Sequence, residues 1–263
     1  MKKRKGADTM ILAIDIGNTN IELGCIEEGR ICSTARIQTD VRATASEYTL
    51  KFKQLLEFNE VDPKKLEGVI IASVVPVVTI AASLAIERLT GKKSKIVGPG
   101  MKTGMNVRID DPGSLAADLL VGSIAAREFY HTPAIILDMG TATTLVVVDR
   151  TGSYRGGAIV PGIKLSYEAL AAGTSLLPDI SIAAPKKCIA TNTVDSMRSG
   201  AIFGNAAMID GMIDRMEAEL GESCTVVATG GLARQIISCC KHEIIYDGEL
   251  ILKGLWTLYR KNK

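Results

Sequence analysis

Two short segments carry residue types suited to holding a phosphorylated ligand. Asp15-Ile16-Gly17-Asn18-Thr19-Asn20 closes one apolar run, and Asp138-Met139-Gly140-Thr141-Ala142-Thr143-Thr144 closes another. Glycine lets backbone N–H groups come close to a phosphate, and successive N–H groups form an anion-binding concavity. Threonine and asparagine add side-chain donors. An aspartate cannot hold a bare phosphate, because like charges repel, but it can hold Mg²⁺ or another cation that bridges to one. Two such segments could clamp a nucleoside triphosphate between them. The plainer reading is a pair of tight turns whose aspartates accept from local N–H groups.

Spacing favours the clamp. In both segments a turn glycine, Gly29 or Gly152, lies fourteen residues after the aspartate, and the offset between the two copies is 123, close to half the chain. The expected result is a duplicated lobe with a cleft between the copies. Thr229-Gly230-Gly231 follows another apolar run and allows close approach of a flat ring or a phosphate, or is an ordinary strand–helix turn. Gly156-Gly157 with Pro161-Gly162 makes a further glycine-rich turn near the second segment, which could equally be structural. Neither a Walker-type Gly-x-x-x-x-Gly-Lys-Ser/Thr nor a Gly-x-Gly-x-x-Gly occurs.

A third carboxylate stands alone. Asp118 interrupts Leu115-Ala116-Ala117-Asp118-Leu119-Leu120-Val121-Gly122, where burial of a charge is costly without a partner or a purpose. An alcohol attacking phosphorus gains from a base that takes its proton, and Asp118 suits that task. It is also an early-helix acid of the kind the helix dipole favours.

The elements that must position these groups follow from pattern. Ile11–Ile16 and Ile21–Ile26 read as strands, a third runs to Ile37, and Val69–Ser73 reads as a buried one. Helical spacing covers Ser46–Phe58, with Ser46 as N-cap, and Val77–Leu89. Residues 98–113 read as a loop, and Ser114 opens a helix to about Tyr130. Then come the strand Ala134–Asp138, two more strands around Gly152, a helix after Gly162 and a longer one over Val194–Leu220. Last come the strand Thr225–Ala228 and an amphipathic helix over Gly248–Arg260, in which Leu252, Trp256 and Tyr259 read as packing residues. Alternating strands and helices make the class α/β.

The 263 residues carry 31 Lys+Arg against 29 Asp+Glu, and a net charge of +2 gives no reason to expect nucleic-acid binding. Residues 1–9 hold Lys2, Lys3, Arg4 and Lys5 against Asp8, a local +3 that leaves −1 for the rest. They read as a disordered basic leader before Met10. An apolar fraction of 47% excludes a disordered chain, and no stretch approaches the roughly 20 apolar residues that span a bilayer. Six cysteines without a Cys-x-x-Cys pair, and only two histidines, give no zinc pattern. The expectation is a soluble, cytoplasmic protein without membrane or nucleic-acid partners.

Taken in order, these motifs, together with Ser73-Val74-Val75-Pro76, Gly156–Gly162, Asn192-Thr193 and Ala228–Gly231, resemble the type III pantothenate kinases, of the acetate and sugar kinase/Hsp70/actin superfamily. The resemblance runs from about Met10 to the C-terminus. It implies two ribonuclease-H-like (actin-like ATPase) lobes, 10–119 and 120–263, with the active site in the cleft between them. It also implies a homodimer and ATP-dependent phosphorylation of pantothenate to 4′-phosphopantothenate, the first step of coenzyme A synthesis. By the same likeness Asp15, Ile16, Gly17, Asn18, Thr19, Asn20, Ile21 and Glu22 form the phosphate-binding segment. Thr141, Gly230 and Gly231 contact ATP, which comes with Mg²⁺, and Asp138 binds a monovalent cation, K⁺ or NH₄⁺. Asp118 is the general base within the pantothenate-binding stretch Ala116, Ala117, Asp118 and Leu119, and Thr193 contacts pantothenate or acts as an N-cap. One departure stands out. Where those relatives carry Gly-Ala-Asp-Arg this chain has Ala116-Ala117-Asp118-Leu119, and Leu119 cannot make a charge-assisted contact to a carboxylate. Arg108 could substitute, or could be a solvated loop residue. The readings that compete with this one are a regulatory, non-catalytic relative and a kinase for another small hydroxyl compound.

Overall fold

The computed structural model describes residues Met10–Lys263, so the expected leader 1–9 lies outside the described residues. The contacts divide the chain into two units. One takes in the chain up to Gly104 with Gly113–Ala125 and Ile251–Lys263, and the other comprises Met105–Pro112 and Ala126–Leu250. The division is not the consecutive one at residue 119 that the resemblance suggests, because the last helix packs in the first unit.

The first unit is a five-stranded sheet in the order β3-β2-β1-β4-β5. β1 (Met10–Ile16), β2 (Asn20–Glu27) and β3 (Arg30–Gln38) form an antiparallel meander, while β4 (Gly68–Ser73) and β5 (Lys95–Ile96) add in parallel on the other side of β1. α1 (Ala45–Phe58) and α2 (Pro76–Thr90) close the core over Leu12, Ile14, Ile16, Ile21, Tyr48 and Phe52. The sequence pattern assigns the α1 cap to Ser46, whereas Thr44 takes it: its hydroxyl accepts from Glu47 N and Glu47 returns a bond to Thr44 N, a capping box.

α8 (Leu250–Lys261) lies on glycines of the same sheet. A Cβ at Gly24 would sit 2.7 Å from Leu252, one at Gly29 3.0 Å from Trp256, and one at Gly68 would strike the Tyr259 hydroxyl. The i, i+4, i+7 spacing of those three side chains is one helix face, and the missing side chains make room for it. α3 (Ala117–Phe129) approaches α8 closely at Gly254, where an added Cβ would collide with the Val121 carbonyl. The helix expected from Ser114 begins at Ala117, after a 3₁₀ turn over Pro112–Ser114, because Pro112 and Gly113 fix that turn.

In the second unit the sheet order is β10-β9-β6-β7-β8, the same topology again. β6 (Ala134–Met139), β7 (Ala142–Val148) and β8 (Tyr154–Pro161) form the meander, with β9 (Thr225–Thr229) and β10 (Ile245–Tyr246) in parallel. The helices are α4 (Ile163–Ala172), α5 (Thr193–Ser199), α6 (Asn205–Leu220) and α7 (Ala233–Ile237). The single long helix expected over Val194–Leu220 starts at Thr193 and is interrupted by a π-helical stretch, Gly200–Gly204. Its inner face and the three central strands β9, β6 and β7 enclose a core of Ile135, Leu137, Leu145, Ile202, Ile209 and Ala228. The two copies of one topology are ribonuclease-H-like lobes of the α/β class.

Candidate functional site

The first hairpin carries Asp15–Glu22. Gly17 N–H donates to the Asn20 carbonyl at 2.9 Å, closing a turn whose tip, Asn18 and Thr19, is exposed. Ile16 and Ile21 are wholly buried in the core, so only their backbone groups are open to a ligand. Asp15 stands directly opposite Glu22, and Glu22 opposite Arg36 on β3. Like charges in direct opposition are unfavourable unless a cation sits with them, and Arg36, next in the row, carries the opposite charge.

The second hairpin carries Asp138–Thr144. Gly140 N–H donates to the Ala142 carbonyl at 3.0 Å, and Gly140 and Thr141 are exposed at the tip. Asp138 is flanked in register by Thr144 on β7 and Thr229 on β9. The Thr144 hydroxyl is buried without a hydrogen-bond partner, an orphan oxygen opposite the carboxylate. One carboxylate with flanking hydroxyls is a set of hard oxygen donors of the kind a cation takes. Gly230, at φ 99°, lies against the end of β6, and a Cβ there would be 2.5 Å from the Met139 carbonyl oxygen. The close approach read from this glycine is therefore to backbone. Gly231 is exposed beside it.

Asp118 is the second residue of α3, nearer the helix start than the sequence pattern suggests. One carboxylate oxygen accepts from Leu119 N–H at 2.7 Å. Burial pushes its pKa above the ordinary 3.8, while bonds from the Leu119 and Asp118 N–H groups pull the other way. The helix is held behind it by α8 at Gly254 and by the Ser123 hydroxyl, which donates to the Leu119 carbonyl at 2.7 Å. Ala116 accepts the first helical bond, from Leu120.

The structure thus groups Asp138, Thr141 and Gly230 around the second hairpin, and puts Asp15–Glu22 and Ala116–Leu119 in the first unit. Thr193 is exposed at the first position of α5 and is not its cap. Asn192 caps the helix, accepting from Asp195 N–H at 2.9 Å, because asparagine one residue earlier reaches that donor. Arg108 is exposed on a short segment whose backbone pairs with the start of β8.

One position, Thr39, escapes the motif reading, and one that the motifs include, Gly162, has a role they do not show. The Thr39 hydroxyl donates to the Gly17 carbonyl at 2.6 Å, and its N–H donates to the Thr19 carbonyl at 2.9 Å. Gly162 N–H donates likewise to the Thr141 carbonyl at 3.0 Å. Thr39 and Gly162 are themselves 123 residues apart, so the repeat offset could have found the pair. Thr39 also lines a surface cavity of about 610 Å³ with Arg42 and Lys51.

A model of the type III pantothenate kinase family matches residues 11–215. The chain is 40% identical over 253 residues to the type III pantothenate kinase of Bacillus cytotoxicus, covering 96% of this chain and 97% of that one. Against the type III pantothenate kinase of Exiguobacterium sibiricum it is 42% identical over 254 residues, covering 97% and 100%. Among solved structures, component A of the (R)-2-hydroxyglutaryl-CoA dehydratase of Acidaminococcus fermentans is similar with a TM-score of 0.59 at 13% identity, covering 97% and 100%, a likeness of fold.

Proposed function

Because the chain belongs to the type III pantothenate kinase family, and so is an ATP-dependent pantothenate kinase of coenzyme A synthesis, we propose that Asp118 is its general base. The observation that carries this is a single carboxylate, raised in pKa by burial, on a helix start of otherwise apolar side chains. Desolvation makes it a better proton acceptor than a solvated aspartate. Asp118 takes the proton of the pantothenate hydroxyl as oxygen attacks the γ-phosphorus, and ADP leaves in line.

The other assignments belong to the same proposal. The exposed tips Asn18-Thr19 and Gly140-Thr141 offer N–H and hydroxyl donors to the phosphates, with Gly230 and Gly231 beside the second tip. The family uses ATP with a divalent metal, and the Asp15–Glu22 pair supports Mg²⁺ with the nucleotide. Asp138, with the orphan Thr144 hydroxyl opposite, would hold K⁺ or NH₄⁺, which supplies positive charge toward the phosphates when bound. Ala116, Ala117, Leu119 and Thr193 are assigned to pantothenate. A homodimer is part of this reading, supported by the stripe Val77, Ile80 and Leu84 that α2 leaves exposed. So is a cytoplasmic location, supported by the absence, among the described residues, of any helix long and apolar enough to cross a membrane.

Coupled ADP release with purified protein, ATP, Mg²⁺, K⁺ and pantothenate tests the base. Asp118→Asn is expected to lower kcat by about 100-fold or more with ATP binding intact. For the parent, kcat/KM should fall as pH drops through the raised Asp118 pKa, so the acid limb lies above that of an ordinary aspartate. Turnover of Asp118→Asn within a few-fold of the parent removes the assignment.

A further inference from the structure

We propose that Thr39 is a positioning residue for ATP, one that sets the direction of the backbone N–H groups in the Gly17–Asn20 turn. The proposal rests on the reading of Asp15–Glu22 as the phosphate segment. Thr39 grips two carbonyls of the turn: its hydroxyl donates to Gly17 at 2.6 Å and its N–H to Thr19 at 2.9 Å. In a trans peptide the N–H of the next residue points opposite to the carbonyl. Fixing the Gly17 and Thr19 carbonyls therefore fixes the Asn18 and Asn20 N–H groups on the other side. Without that grip, glycine lets the peptide after it rotate at little cost.

Thr39 is itself anchored to the core. Asp40 N–H donates to the Tyr48 hydroxyl at 3.0 Å, and that hydroxyl donates to the Asp40 carbonyl at 2.9 Å. Tyr48 is wholly buried in α1 and packs on Phe52, with ring centroids 5.5 Å apart. Hydrogen bonds at either end of the Thr39–Asp40 peptide thus tie the turn to the core. The second hairpin has only half of this device: Gly162 N–H reaches Thr141, but Gly162 has no hydroxyl to offer Gly140. The extra bond is peculiar to the first hairpin, where the tip is one residue longer and has more freedom to lose.

The test is steady-state kinetics of Thr39→Val and Thr39→Ser in the full chain. Valine keeps the shape and removes the donor, so KM for ATP should rise about tenfold, the loss of one hydrogen bond to a turn carbonyl. KM for pantothenate should stay within twofold, and Thr39→Ser should restore the parent value. A merely structural role would lower the melting temperature and the active fraction while leaving KM for ATP unchanged, and that result overturns the proposal. If Thr39→Val does not fold, Tyr48→Phe removes the anchor instead and should raise KM for ATP about threefold; an unchanged value again overturns it. Asn18→Pro, which removes one of the turn N–H groups itself, separates the two levels. If it leaves KM for ATP unaltered, the phosphate reading of the turn falls and the role of Thr39 with it. If it raises KM and Thr39→Val does not, only the role of Thr39 falls.

Discussion

At the tip of the first hairpin two residues, Asn18 and Thr19, separate Gly17 from its partner Asn20; at the tip of the second, Thr141 alone separates Gly140 from Ala142. The far ends differ in the opposite sense. β2 and β3 are joined by Glu28-Gly29, between the paired residues Glu27 and Arg30. β7 and β8 are joined by Arg150-Thr151-Gly152, closed by Asp149 N–H on the Ser153 carbonyl at 2.9 Å. The residue lost at one end is regained at the other, which is why Gly17 and Gly29 keep their 123-residue offset from Gly140 and Gly152. Between them β2 and β7 align one residue out of that offset, so Asp15 meets Glu22 but Asp138 meets Thr144. The third strands regain it, and each carries a bulge at the same place, Cys32 and Arg155. Loop lengths can therefore drift while the first and third strands stay in step, and the same row can hold two carboxylates in one lobe and one in the other.

The largest effect is expected where the second lobe has no slack. A Cβ on Gly162 would press on the Gly140 and Thr141 carbonyls, the Thr141 carbonyl carbon lying 2.8 Å away. Backbone cannot yield as a side chain can, so Gly162→Ala should destabilise by about 3 kcal/mol, read as a lower midpoint in urea unfolding. Its counterpart Thr39→Ala, which removes atoms instead of adding them, should cost about 1 kcal/mol. Equal costs would mean that the two straps are built alike and would break the comparison.

The next effect separates the far ends. Asp149 is buried and accepts from Thr151 N–H at 2.9 Å, the Thr151 hydroxyl at 2.5 Å, Ser153 N–H at 3.1 Å and Arg155 at 3.3 Å. Burial alone would raise its pKa, but the Thr151 hydroxyl, the Ser153 and Thr151 N–H groups and Arg155 outweigh it and hold the carboxyl below 3.8. Asp149→Ala strands several of these donors and should cost about 2 kcal/mol at neutral pH. The sign of the pH dependence follows from the depressed pKa. The stabilisation is present above the unfolded-state value near 3.8 and is lost as pH falls through the lower folded-state value, so the two proteins should converge in stability in acid. A gap that stayed constant down through that range would show that packing, not the carboxylate, holds the loop.

Much of this architecture is legible in the sequence, for reasons that differ by element. The duplicated Asp-x-Gly and the offset of 123 give the two meanders, because buried strands such as Ile11–Ile16 are unbroken apolar runs. The caps were less legible: Thr44-Ala45-Ser46-Glu47 and Asn192-Thr193 each offer two adjacent candidates, and only the backbone angles choose between them. The one-residue slip of β7 is invisible, since two compensating turns leave the glycines where they were. The role of α8 also lies beyond local pattern. Its amphipathic face is clear, but the choice of sheet depends on glycines at 24, 29 and 68, distant in the chain. For the site, residue types mark the turn tips and Asp118, whereas Thr39 stands outside every motif and is seen only as a hydrogen-bond donor.

The smallest effect concerns the two-residue turn whose counterpart in the second lobe is three residues long. Glu28 and Gly29 both have positive φ, 51° and 87°. Two positive φ values in a two-residue hairpin define a type I′ turn, which favours Asn-Gly and penalises a longer side chain at the first position. Glu28 is exposed. Glu28→Asn should therefore stabilise the protein by about 0.5 kcal/mol through backbone preference alone. The matching change in the second lobe, Thr151→Asn, removes a hydroxyl that Asp149 accepts and should destabilise instead. Opposite signs for the same new residue in two equivalent hairpins are what different closures of one fold require. Thermal unfolding of the two variants side by side measures it, and a shift of the same sign in both would mean that the turns differ in length but not in what holds them shut.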